Sequence, residues 1–578
     1  MGCCLGSIRP CRPRNWIRSR PFVTSRNMLL RTLITGTLLA AGAFAQLSSF
    51  PKPAYFRETF SKSQPKVELK DPVRLKDFVV GDKLELSLKD YLALVMSNNT
   101  DIQLQMLSLE TPKNAIQRAF GIWDPRATAS FNSTRATTPP TSALDGTANA
   151  LKTLSQPLAM SVTQTLPEGI NYTVAWGGSK ATSNSNLSTY NPALASNLSI
   201  TFSQPLLQNR GTYVNRLNLM SARSRLKINE FGLKGSLLNL VSTAESAYWD
   251  VVSARESLKV AIGARDVSAE FLKLSQKQLE LGALSPLDIY NPQQQLATNE
   301  VSVAQARFTL TQREDALRKQ ISADLDPQVR ALPLVLTDAA DMPLESINFD
   351  RERAIQQALE VRPDLKQAVQ SLDVDDLGIQ AARNALLPNL ALTGNYTVNG
   401  RGGVFVERTN AFNNSGVSST VLTSIPGGIA DALDQMFGFG FSSYQLGLRL
   451  TLPIRSRAAS ADMADAVVRR KQDTLTVRTT QQTIRLDILN AITNVESSKE
   501  SVKLAKVARE FAQKALDAEN KKYELGTELS QNVLLAQNAL AQAESTVVTN
   551  QIALRKNLLN LLVKIGTLLD ERGIVLQP

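Results

Sequence analysis

The chain has 578 residues, of which 43% are hydrophobic and 20% are charged, and its formal net charge is +12. It contains no histidine, and its only cysteines are Cys3, Cys4 and Cys11. Catalytic sites of the serine-histidine-aspartate and cysteine-histidine types are therefore excluded, and so are histidine metal sites. We expect no catalytic residue, no cofactor and no metal ion, and the chain is not expected to be an enzyme.

Residues 1–45 have the pattern of a secretory signal peptide. They carry seven arginines and no acidic residue, and an apolar run of about a dozen residues leads to Ala43-Phe44-Ala45, an A-x-A cleavage pattern. Removal of this leader would lower the net charge from +12 to +5 and would remove all three cysteines. No disulfide and no nucleic-acid partner are therefore expected. Residues 46–83 are expected to form an N-terminal extension.

Strand patterns follow between about residues 126 and 204. The segment "MSVTQTLPEGINYTVAW" (160–176) predicts a hairpin that turns at Pro167-Glu168-Gly169. In "LSITFSQ", from residue 198, apolar and polar residues alternate, which is typical of a tilted membrane strand with one apolar and one wet face.

Three polar stretches are interpreted as surface loops, because they are rich in asparagine, serine, threonine and glycine. They are residues 135–157, 177–197 and 399–436. Near the third stretch, a cluster of aromatic residues resembles the belt found at a membrane interface. Its members are Phe437, Phe439, Phe441 and Tyr444.

The longest helical pattern of the first half runs from about Tyr213 to Leu281 without a proline. A helix of this length would extend for on the order of 100 Å. Apolar and small residues recur along it with a four-three spacing, which predicts coiled-coil packing. They include Leu233, Leu237, Leu240, Ala244, Ala247, Val251, Ala254, Leu258 and Ala261. The pattern ends at Gly282, and a second helical segment follows.

The second half repeats this order of features, which indicates an internal duplication. Asp101, Pro125, Pro205 and Gly282 correspond to Asp364, Pro388, Pro453 and Gly526. Strands are expected at about 389–452, and a second long helix from about Ala458 to Leu525 is expected to turn at Gly526. We therefore divide the chain into a first repeat (84–325), a linker (326–348), a second repeat (349–569) and a C-terminal tail (570–578).

So few strands per chain cannot close a barrel, and closure would require several copies to share one. With both halves aligned, the sequence resembles the TolC-like outer-membrane efflux proteins, also called outer membrane factors. The resemblance rests on "RPDLKQA", "ARNALLPNLALTGNY", "FSQPLLQNRG" and the two corners "LELG…LDIYN" and "YELGT…NVLLAQ".

The resemblance implies an α+β membrane protein of the bacterial outer membrane that extends into the periplasm. Strands of three copies would form one β-barrel, continued by a long periplasmic α-helical barrel, so the extension at 46–83 would also be periplasmic. The expected partners are two further copies, outer-membrane lipid, a periplasmic adaptor protein and an inner-membrane transporter. The implied function is a passive exit duct of a tripartite efflux or type I secretion system.

The resemblance also places the tip turns at Gly282 and Gly526 and implies a gate beside them. Family positions that form polar links correspond to Asp288 and Tyr523. Glu528 stands where the family carries an arginine, and Asn532 and Leu535 stand where it carries an acidic ring. The candidate gate residues are therefore Asp288, Tyr523, Glu528, Asn532 and Leu535, without the usual charges.

Two other functions fit parts of the sequence. One is a soluble trimeric coiled-coil scaffold, which membrane fractionation would distinguish from a channel. The other is a carboxylate enzyme, for which "DVDD" (373–376) is the best acidic cluster. Because this cluster lies in a helical pattern, we interpret it as a solvated helix face.

Overall fold

The computed structural model describes residues 79–574 except 81–82, 140–149, 186–187, 283–284, 324–329, 331, 345–347, 414–415, 526 and 528. The chain divides into two units, Met1–Leu69 and Lys70–Pro578, and every described residue belongs to the second. The predicted signal peptide and most of the N-terminal extension therefore lie outside the described residues.

Helices make up most of the described chain. In chain order they are α1 (Leu88–Asn98), α2 (Thr100–Leu107), α3 (Glu110–Phe120), α4 (Thr212–Asn215), α5 (Leu217–Glu280), α6 (Tyr290–Gln320), α7 (Arg351–Val361), α8 (Pro363–Ala385), α9 (Ile429–Phe437), α10 (Arg457–Glu524), α11 (Ser530–Ile565) and α12 (Leu568–Glu571). Among these described helices, none combines the length and the apolar character needed to cross a membrane.

Two helical hairpins contain the longest helices. Helix α5 has 64 residues and α10 has 68, and each packs against the shorter helix that follows it, α6 or α11. Neither long helix contains a proline, and both are rich in alanine, leucine and lysine, which have high helix propensity. The second predicted stretch is thus one continuous helix, whereas the first is interrupted at Arg216, between α4 and α5.

The predicted four-three positions form the helical core. Leu237, Ala244 and Val251 of α5 are buried in one cluster, and Ile484 and Ile488 of α10 are buried in a second cluster with residues of α11. Burial of a large aliphatic side chain contributes about 1.5–3 kcal/mol. These side chains therefore fix the register in which each long helix packs.

The strands fall into two sheets. In chain order they are β1 (Val79–Val80), β2 (Lys83–Leu86), β3 (Arg126–Phe131), β4 (Thr134–Thr138), β5 (Leu151–Thr165), β6 (Asn171–Ser183), β7 (Tyr190–Pro205), β8 (Leu334–Leu336), β9 (Asn389–Asn413), β10 (Gly416–Ile425) and β11 (Ser442–Thr451). Strands β1, β2 and β8 form a small sheet. The others form a large antiparallel sheet of order β10-β9-β7-β6-β5-β3, in which β11 also pairs with β9 and β4 also pairs with β5.

The hairpin predicted at residues 160–176 is confirmed. Strands β5 and β6 pair from Thr153 opposite Ser183 to Thr165 opposite Asn171. At the turn, Gly169 has a φ of +90°, a conformation that favours glycine because it has no Cβ.

The surface loops predicted at 135–157, 177–197 and 399–436 are wrong over much of their length. Strands β5 and β6 extend into the first two, β7 begins within the second, and β9, β10 and α9 occupy most of the third. Glycine and short polar residues suggested loops there. Their backbone N–H and C=O groups nevertheless pair with neighbouring strands as those of other residues do.

Glycines in β9 allow helix α9 to lie directly on the sheet. A Cβ on Gly400 would lie 1.8 Å from the carbonyl oxygen of Ala432, and one on Gly402 would lie 2.2 Å from that of Gly428. Met436 of α9 is buried. The segment "NGRGG" (399–403) is therefore a packing surface for α9.

Candidate functional site

The first corner joins α5 to α6. Helix α5 ends at Glu280, and the N–H of Gly282 donates a 3.0 Å hydrogen bond to the carbonyl of Leu279. Gly282 has a φ of +74°, in the left-handed region. A glycine ends the helix here because any residue with a Cβ would be strained in this conformation.

The second corner joins α10 to α11. The N–H of Leu525 donates to the carbonyl of Lys521 at 3.1 Å, and that of Thr527 donates to the carbonyl of Lys522 at 3.0 Å. Two of the residues singled out in the sequence, Gly526 and Glu528, lie outside the described residues.

Tyr523 connects the two corners. Its hydroxyl donates a 2.6 Å hydrogen bond to Oε1 of Gln278 on α5, and its ring lies 5.2 Å from that of Phe271. The side chain is only 6% exposed and belongs to a small apolar cluster with Val533 and Leu534 of α11. Its ring therefore packs in an apolar environment while its hydroxyl has a polar partner.

A second polar link joins the hairpins deeper in the helices. The side-chain amides of Gln295 on α6 and Asn538 on α11 exchange two hydrogen bonds, of 2.8 and 3.2 Å. Sequence reasoning missed Gln278, Gln295 and Asn538. Gln295 lies thirteen residues after Gly282, and Asn538 lies twelve residues after Gly526. This similar spacing from the two corners is the sequence feature that indicates a contact between them.

Three other candidate gate residues are exposed near the corners. Asp288 is exposed in the segment before α6, and Asn532 and Leu535 are exposed at the start of α11. The backbone N–H of Asn532 donates to the carbonyl of Leu529 at 3.1 Å. The structure thus brings Tyr523 to the first corner, and these three residues are exposed.

Both corners expose large apolar side chains. Leu281, Leu287 and Tyr290 are exposed at the first corner, and Leu525 and Leu529 are exposed at the second. Clustered exposed apolar residues mark surfaces that contact other molecules.

The acidic segment 373–376 lies on α8, as expected, yet it is not wholly solvated. Asp375 is 8% exposed and its Oδ2 has no hydrogen-bond partner. Burial raises its pKa to about 6, and the nearby carboxyl of Asp473 on α10 adds to the shift. Asp373 accepts a 2.8 Å hydrogen bond from Ser224, and Asp376 forms an ion pair with Arg470. The interpretation as a solvated face is wrong for Asp375, because α5, α8 and α10 pack together there.

The fold is that of outer-membrane channel proteins. The CmeC outer membrane channel of Campylobacter jejuni matches with a TM-score of 0.57 at 16% identity, over 88% of this chain and 91% of CmeC. The outer membrane protein VceC of Vibrio cholerae matches with a TM-score of 0.57 at 13% identity, over 83% of this chain and 96% of VceC. At these identities the likeness establishes the fold.

Sequence comparison also points to outer-membrane efflux proteins, over part of the chain. Residues 354–567 match the profile described as "Outer membrane efflux protein". The pyoverdine export outer membrane protein OpmQ of Pseudomonas aeruginosa is 24% identical over 342 residues, which are 58% of this chain and span 62% of OpmQ. The resemblance to the outer-membrane efflux proteins is thereby confirmed. The predicted location, in the bacterial outer membrane with an extension into the periplasm, is confirmed as well.

Proposed function

We propose that this protein is the outer-membrane exit duct of a tripartite efflux or type I secretion system. Three copies would share one β-barrel built from their large sheets, and their helical hairpins would form a tunnel through the periplasm. Substrates delivered by an inner-membrane pump and its adaptor would pass through without a catalytic step.

This proposal rests mainly on the apolar row on β11. Leu446, Leu448 and Leu450 alternate with Gly447 and Arg449, and each of the three leucines is at least 60% exposed. Among the described strands of one copy, β11 pairs only with β9, and its other edge is open. An open edge strand with an exposed apolar row is prone to aggregate in water. Lipid would cover the apolar row, and the edge strand of a second copy would pair with the open edge of β11.

The helical corners are proposed as the gate and as the docking surface for the adaptor. The hydrogen bond from Tyr523 to Gln278 would hold the hairpins of one copy together in the resting tip. Asp288, Asn532 and Leu535 would face the tunnel or the adaptor, and the turn at Gly526 with Glu528 would complete the second corner. The exposed leucines at both corners supply the apolar contact area that docking needs.

Fractionation of cells that produce the full chain tests the channel proposal. The protein should be recovered in the outer membrane as a trimer. The triple variant Leu446→Ser, Leu448→Ser, Leu450→Ser should lose membrane retention, because polar side chains would replace the lipid-facing row. The matched control replaces Gln445, Arg449 and Thr451 with serine on the opposite face and should stay in the membrane.

Recovery of the unmodified protein in the soluble periplasmic fraction would contradict the proposal and favour a soluble trimeric scaffold.

A further inference from the structure

We propose that each copy contributes six membrane strands, so that a three-copy barrel has eighteen strands. This inference rests on the proposed function, and it concerns the hairpin formed by β5 and β6, called here the inserted hairpin.

The inserted hairpin lies inside the sheet. Strand β5 pairs with β3 and β4 on one side and with β6 on the other, and β6 pairs with β7. A flap attached to an edge would leave the neighbouring strands paired to each other. Among the strands that the structure describes, no other strand joins β7 to β3 and β4, so the hairpin is an integral part of the wall.

Six strands are long enough to cross the apolar core of an outer membrane. Strands β3 and β4 act as one interrupted strand, because both pair with β5, from Arg126 opposite Thr163 to Thr138 opposite Leu151. With β5, β6, β7, β9 and β11 they give six strands of at least ten residues. A tilted membrane strand needs about 9–11 residues.

An apolar row crosses all six strands on one face. Its members lie directly opposite one another in the register, and all but the first are exposed large apolar residues. They are Ala127, Val162, Val174, Ile200, Tyr396 and Tyr444.

The next residue along each strand belongs to a row of small, mostly hydroxyl-bearing residues. These are Thr128, Ser161, Ala175, Ser199, Thr397 and Ser443. The Oγ1 of Thr128 lies 2.8 Å from the Oγ of Ser161, a hydrogen bond across the strands. Because side chains alternate between the faces of a strand, the two rows lie on opposite faces. A membrane barrel has this arrangement, apolar outside and polar inside, and the inserted hairpin continues both rows without a break.

The number six also suits a ring of identical copies. Each strand is antiparallel to its neighbour, so the strands at the two ends of the path, β3 and β11, run in opposite directions. The edge of one copy can therefore pair with the edge of the next in the antiparallel manner of the rest of the sheet. An odd number would force a parallel pair at each junction.

The inserted hairpin would set the width of the exit. Barrel diameter grows roughly in proportion to strand number, so eighteen strands give a barrel about 1.5 times as wide as twelve. With strands about 4.8 Å apart and tilted by about 40°, the backbone diameter would be about 35 Å. Side chains would narrow the bore to roughly 25 Å, so selection by size would fall to the helical corners.

Cysteine labelling in intact membranes tests the position of the hairpin. Single variants Val174→Cys and Thr173→Cys place a thiol on either face of β6, and Leu446→Cys and Gln445→Cys do the same on β11. We expect a membrane-impermeant maleimide to label the Thr173→Cys and Gln445→Cys variants at least tenfold faster than the other two, because lipid would cover Val174 and Leu446.

The labelling results distinguish the position of the inserted hairpin from the channel proposal itself. Fast labelling of both β6 variants with protection of the Leu446→Cys variant would overturn the inserted hairpin and leave the channel in place. Fast labelling of all four variants would overturn the channel as well. Cryo-electron microscopy of the purified full chain then counts the strands directly: eighteen are expected, and a ring of twelve with β5 and β6 outside it would overturn the proposal.

Discussion

The two halves of the chain differ more in their strands than in their helices. Helices α5 and α10 have 64 and 68 residues, and α6 and α11 have 31 and 36. The first half contributes four of the six long strands, if β3 and β4 are counted as one. The second half contributes two, β9 and β11, and also contains β10 and α9.

We infer from this difference that the sheet tolerates insertion and that the long helices do not. A long helix is packed along its whole length, so a change in length would misalign the buried positions of its neighbours. An antiparallel sheet accepts a hairpin between two strands when each new edge finds a backbone partner.

Removal of the inserted hairpin should change the sheet and spare the helices. Replacement of residues 140–188 by a short Asn-Gly turn would join β4 to β7 and leave four strands per copy. We expect the barrel diameter to fall by about a third, because it follows the strand number. Cryo-electron microscopy would measure the barrel and the helical tunnel together. A helical tunnel narrowed to the same extent would contradict the contrast.

An ion pair between the buried Glu245 and the partly exposed Arg572 joins the two halves. Glu245 of α5 is 1% exposed, and its carboxylate accepts hydrogen bonds of 2.9 and 2.6 Å from Arg572, just after α12. Arg572→Met would leave a buried carboxylate without its partner, which costs about 3–5 kcal/mol. Denaturant unfolding would measure the loss. The control Arg351→Met breaks an exposed pair with Glu496 and should change little; equal losses would contradict the role of burial.

Asp375 should make stability depend on pH. Its pKa is raised by burial to about 6, with Asp473 and Asp376 adding to the shift and Arg469 opposing it, while Arg225 of α5 lines the same cavity. A raised pKa disfavours the ionised form, so stability is highest when the group is protonated and is lost as the pH rises from about 4 through 6.

The variant Asp375→Asn should therefore be about 1–2 kcal/mol more stable than the unmodified protein at pH 7.5 and similar to it at low pH. Thermal unfolding at several pH values measures this difference. Asp376→Asn, which removes an exposed partner of Arg470, is the control and should not remove the pH dependence. A wild-type pH profile that persists in Asp375→Asn would exclude this carboxyl as its source.

Loss of the hydrogen bond between Tyr523 and Gln278 should change the resting conductance of the channel more than the stability of the protein. Tyr523→Phe removes the hydroxyl that donates to Gln278 and keeps the ring against Phe271. One such hydrogen bond contributes about 0.5–1.5 kcal/mol. We expect a small loss of stability and a higher resting conductance in planar bilayers, with Tyr290→Phe at the exposed first corner as the control. Unchanged resting conductance would remove Tyr523 from the proposed gate.

The sequence predicted the helices and the inserted hairpin because their signals are local. The apolar spacing along α5 and α10 and the turn at Gly169 depend on neighbouring residues alone. The extent of the sheet was not predictable in this way. The "NGRGG" segment resembles a loop until α9 is placed on it, since the need for glycine at Gly400 arises from a helix some thirty residues later.

The site was predictable only in part for the same reason. The position of Tyr523 followed from the family resemblance. Its partner Gln278 lies 245 residues away, and the two residues meet only because the two hairpins pack together. The internal duplication and the remaining gate residues stay predictions.

Single-channel recording from the purified full-length protein in planar lipid bilayers shows whether the trimer is a channel. We expect discrete, uniform conductance steps that appear only with the membrane-inserted trimer and that are lost in the Leu446→Ser, Leu448→Ser, Leu450→Ser variant. Purified trimer that inserts into the bilayer and gives no steps, even with the Tyr523 link removed, would contradict the channel proposal.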